Sequence, residues 1–422
     1  MNKHSSIFNM TVLVTGLGFL VDMYDTFSFN MIRHASLSEL GLSGDVLTRA
    51  GVHILNAQVI ATLIGGIFWG MLGDKFGRKK CLVGSILVYS LGMLATAAVQ
   101  DVTTYILARI VTGFGIAGEL GLGAVLVAEK IVPEKRGYAI GLFTGFGLAG
   151  IILAGVMSEL LPWRHFCLVG AGMGLGLLGL RIFLIESGLF TQLSVAHTLR
   201  GRYSALFSCP RRFKRYICGV LILVPNFFLT GILLTLSGEF SAAAGVTTPV
   251  KTSYAMIIYF TCALAGDFFS TYLTARIKSR RATLLLYIFG NLAVASIILG
   301  FGYTSAVTYY ALCGLIGVFN CWAIVNLTIT ELMGTDLRAT SVTSSINFSR
   351  AFVAPMSVAM LFLKPDFGID GAGWIVMGIV CGMALISAWI LPETYNRDVD
   401  FHEFHTENED GAVLRRRPVN RL

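Results

Sequence analysis

The chain alternates apolar runs of about 20 residues with short polar or basic joints. Twelve runs are legible, at 10–32, 54–73, 81–100, 103–128, 138–161, 166–185, 216–240, 253–275, 283–303, 306–330, 341–363 and 373–391. Each is long enough to cross ~30 Å of hydrocarbon as a helix. The runs are continuous rather than alternating, which predicts helices that satisfy their own backbones instead of barrel strands. The first and fourth runs carry internal charges. The longest polar joint, 186–215, holds Pro210 and the cluster Arg211-Arg212-Phe213-Lys214-Arg215. It divides the chain into six-helix halves at 1–185 and 216–391, leaving a tail at 392–422. This is the layout of parallel-repeat transporters. The predicted fold class is an all-α membrane protein with no soluble domain.

Composition agrees with lipid as the solvent. Of 422 residues 55% are hydrophobic and 13% charged, against about a quarter charged in soluble domains. Most of the 32 Lys and Arg residues fall in joints on one side, such as Lys75, Arg78, Lys79, Lys80, Lys135, Arg136, Arg280, Arg281 and Arg338. The other side has Arg33, Arg49, Arg164, Lys251 and Lys364. That asymmetry predicts cytoplasmic termini and a multi-pass protein of a bacterial inner membrane. It also accounts for the net charge of +8 without nucleic acid. The eight cysteines form no CxxC pair and read as packing residues, so no metal and no cofactor is expected. Glycines crowd the fourth run (Gly113, Gly115, Gly118, Gly121, Gly123) and the fifth (Gly141, Gly145, Gly147, Gly150, Gly155). Such spacing lets helices approach closely and slide.

The most specific local pattern is Gly70-Met71-Leu72-Gly73-Asp74-Lys75-Phe76-Gly77-Arg78-Lys79, between the second and third runs. An Asp at a helix end can cap and pair with cations, so Asp74 and Arg78 are the candidate gating residues. A worn counterpart in the second half, Thr274-Ala275-Arg276-Ile277-Lys278-Ser279-Arg280-Arg281, lacks both the Asp and the Gly. Any latch there must differ.

The first stretch resembles the signature G-x-L-[AS]-D-[RK]-x-G-R-[RK] of the major facilitator superfamily, departing only at Gly73. Further pieces resemble its metabolite:proton symporter and sugar-porter-like branches. They are Pro162-Trp163-Arg164, Leu180-Arg181, Glu186-Ser187-Gly188-Leu189-Phe190, Glu331 to Thr340 and Pro392-Glu393-Thr394. The prolines usual at positions 188 and 334 are replaced by glycine. Gly18-Phe19-Leu20-Val21-Asp22-Met23-Tyr24-Asp25 is similar to the G-F-x-x-D-x-Y-D of phosphate and metabolite symporters. Arg109 to Glu119 is similar to their R-x-x-x-G-x-G-x-G-G-E/D. The resemblance implies twelve helices, transport by alternating access, and proton coupling through acids of the first and fourth helices.

A charge at a helix centre costs ~2.5–3.5 kcal/mol on insertion scales, so each such residue is a functional candidate. Asp22 and Asp25 lie one turn apart and should not both ionise easily, as a proton-coupling site requires. The alternative for one of the two aspartates is that it merely balances Arg109; Glu119 joins them as a coupling candidate, with a buried ion pair that holds helices together as its alternative. Arg350, within Asn347-Phe348-Ser349-Arg350, offers a permanent planar fork suited to a carboxylate or phosphate. Its alternative is pairing with Asp267. Arg350, Arg109, Asp267 and Asn347 are therefore the candidate substrate-binding residues, and Asn226, Asn320 and Asn326 are open between substrate and helix bridging.

No Walker loop, HExxH or GxSxG stretch is present, so the chain is not expected to be an enzyme and draws on a proton gradient. The expected activity is symport, as a monomer, of a small organic anion such as a di- or tricarboxylate. Alternatives are a proton-driven exporter and a non-transporting sensor.

Overall fold

The computed structural model describes residues 8–181 and 202–397, apart from 247, 249, 251, 302 and 304. Most of the 186–215 joint, with Glu186 to Phe190, and the basic tail beyond 397 lie outside these residues.

The first half comprises α1 (Met10–Glu39), α2 (Gly44–Phe76), α3 (Arg78–Ala97), α4 (Val102–Ile116), α5 (Glu119–Lys130), α6 (Pro133–Leu160) and α7 (Trp163–Leu180). The second comprises α8 (Pro210–Phe228), α9 (Ser237–Ala243), α10 (Thr252–Ile277), α11 (Arg280–Ser296), α12 (Ala306–Val318), α13 (Trp322–Leu332), α14 (Arg338–Ala351) and α15 (Val353–Ile390). Among the described residues, 11 spans are long and apolar enough to cross a membrane. The run at 341–363 is shared between α14 and the start of α15, which turns back at Gly368 with φ 70°. The result is an all-α, multi-pass membrane fold of two bundles.

Two crossings are broken at matching places. The fourth run divides at Ala117-Gly118 between α4 and α5, and the tenth at Phe319 to Cys321 between α12 and α13. Discontinuous helices expose backbone groups near the middle of a carrier, where side chains of neighbours must satisfy them.

The bundles share one hydrophobic core, in which Phe19, Phe143 and Ile151 join Phe227, Leu229, Tyr259 and Ile324. Two seams bring the bundles together. On α6, Gly137, Gly141 and Gly145 lie opposite Thr271, Phe268 and Leu264 of α10. On α2, Gly70 lies so close to α14 that a Cβ there would stand 2.9 Å from the Thr340 Cα and 3.0 Å from the Ala339 carbonyl oxygen. Any side chain at Gly70 would push the bundles apart, which gives that glycine of the α2–α3 stretch a steric reason.

Candidate functional site

The seam is shut at the basic end of the molecule, where α2 meets α14. Asp74 is fully buried and accepts from the backbone N–H of Ala339 at 3.1 Å and of Thr340 at 2.8 Å. The Thr340 hydroxyl donates to it at 2.8 Å, and Arg78 lies 3.3 Å away. The N-cap position of α14, Leu337, offers no side-chain acceptor. Asp74 fills that role from the other bundle, where its charge also meets the positive end of the helix dipole.

Around this contact runs a charge network in two matching copies. In one, Glu129 at the end of α5 pairs with Arg78 of its own bundle at 3.2 Å and with Arg338 of the other at 2.6 Å. In the second, Glu331 at the end of α13 pairs with Arg280 of its own bundle at 3.3 Å and with Arg136 of the other at 3.2 Å. The correspondence extends to detail: Arg136 donates to the Ala128 carbonyl and Arg338 to the Thr330 carbonyl, each eight residues upstream. Each glutamate thus ties its own bundle to the opposite one. All six side chains are buried.

The worn counterpart of the α2–α3 stretch forms its own closure. Thr274, at the end of α10, donates to Thr283 at 3.0 Å. Lys278 adopts φ 59° where Gly77 has φ 105°. Past the last crossing, Glu393 caps α11, accepting from the Arg280 N–H at 2.9 Å, the Arg281 N–H at 3.3 Å and the Ser279 hydroxyl at 2.5 Å. Burial pushes its carboxyl up, but Ser279, Tyr395, Arg280 and Arg281 outweigh this and leave it below the ordinary carboxylate range. The Arg397 carbonyl then accepts from Arg136 at 3.2 Å, so the tail reaches the first bundle.

Further into the membrane, the acids of α1 occupy different surroundings. Asp25 is enclosed within its own bundle: a Cβ on Gly170 of α7 would stand 2.6 Å from its Oδ1, and neither carboxylate oxygen has a hydrogen-bond partner among the described residues. Arg109 reaches the Asp25 backbone carbonyl at 3.4 Å rather than the carboxylate, and otherwise bonds Gln58 Oε1 at 2.9 Å and Ser28 at 3.3 Å. It is fully buried and lies over the Phe29 ring. Asp22 is 1% exposed, and its Oδ1 also lacks a partner among the described residues.

Glu119 does not pair with Arg109. Its carboxylate is held by Arg181 at the end of α7, at 2.5 and 2.8 Å, and by the Ser85 hydroxyl at 2.8 Å. This pair presses on α1 at Gly18, where a Cβ would clash with the Arg181 guanidinium. Gly18 is one turn before Asp22 on the same face, so the pair borders the Asp22 site.

The four candidate substrate residues are not gathered in one place. Asp267 accepts from Thr144 at 3.0 Å, from Asn320 at 3.0 Å and from the Ala323 N–H at 3.2 Å. It caps the broken helix α13 and bridges the bundles through Thr144; it forms no ion pair with Arg350. Asn347 bridges them too, donating to the Ala117 carbonyl at the α4–α5 break at 3.2 Å. Arg109 is committed to its own bundle. Arg350 is half-buried, with no hydrogen bond or ion pair among the described residues, and its electrostatic neighbour is Asp22 of the facing bundle. Asn226, Asn320 and Trp322 line a small cleft in the second bundle; Tyr259 donates to Asn226 at 3.2 Å, and Trp322 packs edge-on against Phe227.

Sequence reasoning did not assign Glu129, Arg136, Arg280 or Glu331 to the site, nor Arg181 as the partner of Glu119. One signal was available: Glu129 to Arg136 and Glu331 to Arg338 have the same spacing at the same point of each half.

Comparison with known proteins bears on the family and the fold. A probable 4-methylmuconolactone transporter of Cupriavidus pinatubonensis is 27% identical over 89% of this chain and 89% of its own length. A niacin transporter, NiaP, of Acinetobacter baylyi is 32% identical over 39% of this chain and 37% of its own. A 3-(3-hydroxy-phenyl)propionate transporter of Escherichia coli is 33% identical over 32% and 35%. The solved proton:xylose symporter XylE shares the fold, with a TM-score of 0.75 at 15% identity over 93% of this chain and 97% of that one. The family model described as Major Facilitator Superfamily matches residues 15–358, from the second turn of α1 through both broken helices and the shut seam. The chain therefore belongs to the Major Facilitator Superfamily, as a multi-pass carrier of small metabolites rather than an enzyme.

Proposed function

We propose that the protein is a proton-coupled symporter that takes up a small organic anion by alternating access, with the basic end facing the cytoplasm of a bacterial cell. The observation that carries this reading is Arg350: a half-buried guanidinium in mid-membrane, without a bonded partner among the described residues, with an acid of the other bundle as its electrostatic neighbour. A permanent cation in so dry a place needs an anion, and one that comes and goes serves a carrier. Niacin and an arylpropionate, named for two of the relatives, are carboxylic acids, which supports the same class.

In this reading Asp22 holds the coupled proton, with Asp25 and Glu119 as the further acids of the coupling site. Arg350 holds the substrate's carboxylate, while Asp267 and Asn347 define the walls by bridging the bundles. Asp74 and Arg78, with the paired network, form the cytoplasmic gate, closed in this conformation. Opening it requires inter-bundle contacts to break together, among them the Asp74 cap, the Asn347 bridge and the two crossed ion pairs.

The test is uptake of labelled organic acids by proteoliposomes under an imposed proton gradient, beside sugars and amines. Acid uptake that collapses with a protonophore is expected. Transport of amines or sugars alone would overturn the reading.

A further inference from the structure

The membrane-embedded cations of the described residues can be assigned one by one. Arg109 is consumed by Gln58, Ser28 and the Asp25 carbonyl. Arg181 is consumed by Glu119 and the Leu82 carbonyl. Only Arg350 is left, on α14, which packs against α2 and α5 of the first bundle. On the α1 side, Asp22 has an oxygen with no hydrogen bond although it is 1% exposed. The charged and titratable groups around Asp22 are Glu119, Arg350, Asp25, Arg181 and Tyr89. Of the two cations, Arg181 is already doubly bonded to Glu119. Asp25 faces away into its own bundle against Gly170. Among the described residues, the seam thus presents one unbonded cation, Arg350, and on the opposite bundle Asp22, an acid with an unbonded oxygen.

We propose that Asp22 and a substrate carboxylate are alternative partners of Arg350, so that one proton enters with one monoanion and no net charge crosses the membrane. This rests on the reading of Arg350 as the anion site, and it narrows the substrate to acids with a single carboxylate.

Charge balance gives the reason. In the empty carrier ionised Asp22 neutralises Arg350 across the seam. In the loaded carrier the substrate carboxylate neutralises Arg350, and Asp22, having lost its partner, holds the proton. Both forms that must cross the membrane therefore present a neutral site, and a net charge in low dielectric is avoided in each. A dicarboxylate would leave a second negative charge with no cation among the described groups to meet it. The expectation of di- and tricarboxylates from sequence is replaced by this count.

The experiment uses the full chain in proteoliposomes and in detergent, with nicotinate and benzoate as monoanions and succinate and citrate as polyanions. Uptake of a monoanion should follow an inside-alkaline pH gradient and be unchanged by a valinomycin-imposed, inside-negative potential. Its apparent Kd should rise about tenfold per pH unit once Asp22 ionises and competes for Arg350, because a tenfold change in free acid follows each unit. In Asp22→Asn that slope should be flat, with binding retained, since the amide has no charge to offer Arg350. Proton-driven uptake that the potential accelerates would overturn the one-for-one balance while leaving the anion carrier intact. So would preference for succinate or citrate. Binding by none of the four acids would remove the anion site itself and the proposal with it. The potential measurement needs only the wild type, so it decides the matter even if Asp22→Asn does not fold.

Discussion

Asp74 stands 2.8 Å from the backbone N–H of Thr340, two residues that belong to different bundles. A helix start is here capped by the partner it must leave for the carrier to open. The cap is therefore present in one state only, and its loss should shift the equilibrium without unfolding either bundle. Asp74→Ala removes a cap worth ~0.5–2 kcal/mol together with a buried charge contact. The expected outcome is a population shift of tenfold or more toward the open basic end, read as faster labelling of a cysteine placed at Thr343. Unchanged labelling with normal transport would show that the cap is idle.

Glu129 and Arg338 should behave as a unit. Removing one partner leaves the other charge buried, at a cost of ~3–5 kcal/mol to the closed state. Glu129→Gln and Arg338→Gln should each open the basic end, and the double variant should open it by less than the sum. The matching pair Glu331 and Arg136 should give the same pattern. A difference cycle that is additive would show that the ions do not communicate.

Glu119→Gln strands Arg181, which then lies buried beneath Gly18 with part of its bonding lost. Melting in detergent should fall, and Glu119→Gln combined with Arg181→Gln should recover part of the loss. If the single variant melts like the wild type yet loses proton-driven uptake, Glu119 works as a coupling acid and its pairing is secondary.

Arg350→Ala should abolish binding of the anion while the protein stays folded, because no hydrogen bond or ion pair from the described residues holds the guanidinium in place. Loss of one charged contact in a dry site costs ~2–5 kcal/mol of affinity. Arg350→Lys should restore only part, keeping the charge and losing the fork. Collapse of folding in Arg350→Ala, rescued by Asp22→Asn, would instead make this arginine a structural partner of Asp22.

Glu393 gives a pH signature outside the membrane. Its carboxyl lies below the ordinary range in the folded protein, so its contribution is complete above the unfolded value of ~4.3. That contribution is lost as the pH falls through the folded value. Melting measured from pH 6 downward should show an acid-side decline that Glu393→Gln flattens. An identical decline in both proteins would assign the acid sensitivity to other carboxylates.

The fold was legible because each crossing needs one long apolar run, and runs survive in a single sequence. Asp74 and Arg78 were legible because a helix end, a tight Gly and a charge must follow one another along the chain. The partners were not. Asp74 meets Ala339 and Thr340 some 265 residues away, and Arg181 meets Glu119 between α7 and α5, a pairing that depends on how tilted helices cross. Arg109 was expected to face an acid, yet Gln58 and Ser28 neutralise its donors instead; a buried guanidinium needs acceptors, and oxygens without charge suffice. Asp267 was grouped with the substrate because it is charged and intramembrane. The broken helix it caps is visible only once α12 and α13 are seen to part.

The stretch Arg338 to Asn347 of α14 is buried along its whole length, although it carries Thr340, Ser341, Thr343, Ser344, Ser345 and Asn347. Some of these groups spend their bonds on their own helix, as Ser344 does on the Thr340 carbonyl and Asn347 on that of Thr343, and the Thr343 hydroxyl has no partner among the described residues. Such a surface gains hydration when it is uncovered. An apolar helix in the same position would add ~25 cal/mol for every Å² wetted, and the shut form would become a trap. By facing the seam with groups that water can serve, α14 keeps the open and shut forms close in free energy, so that a single proton and a single ligand are enough to tip between them.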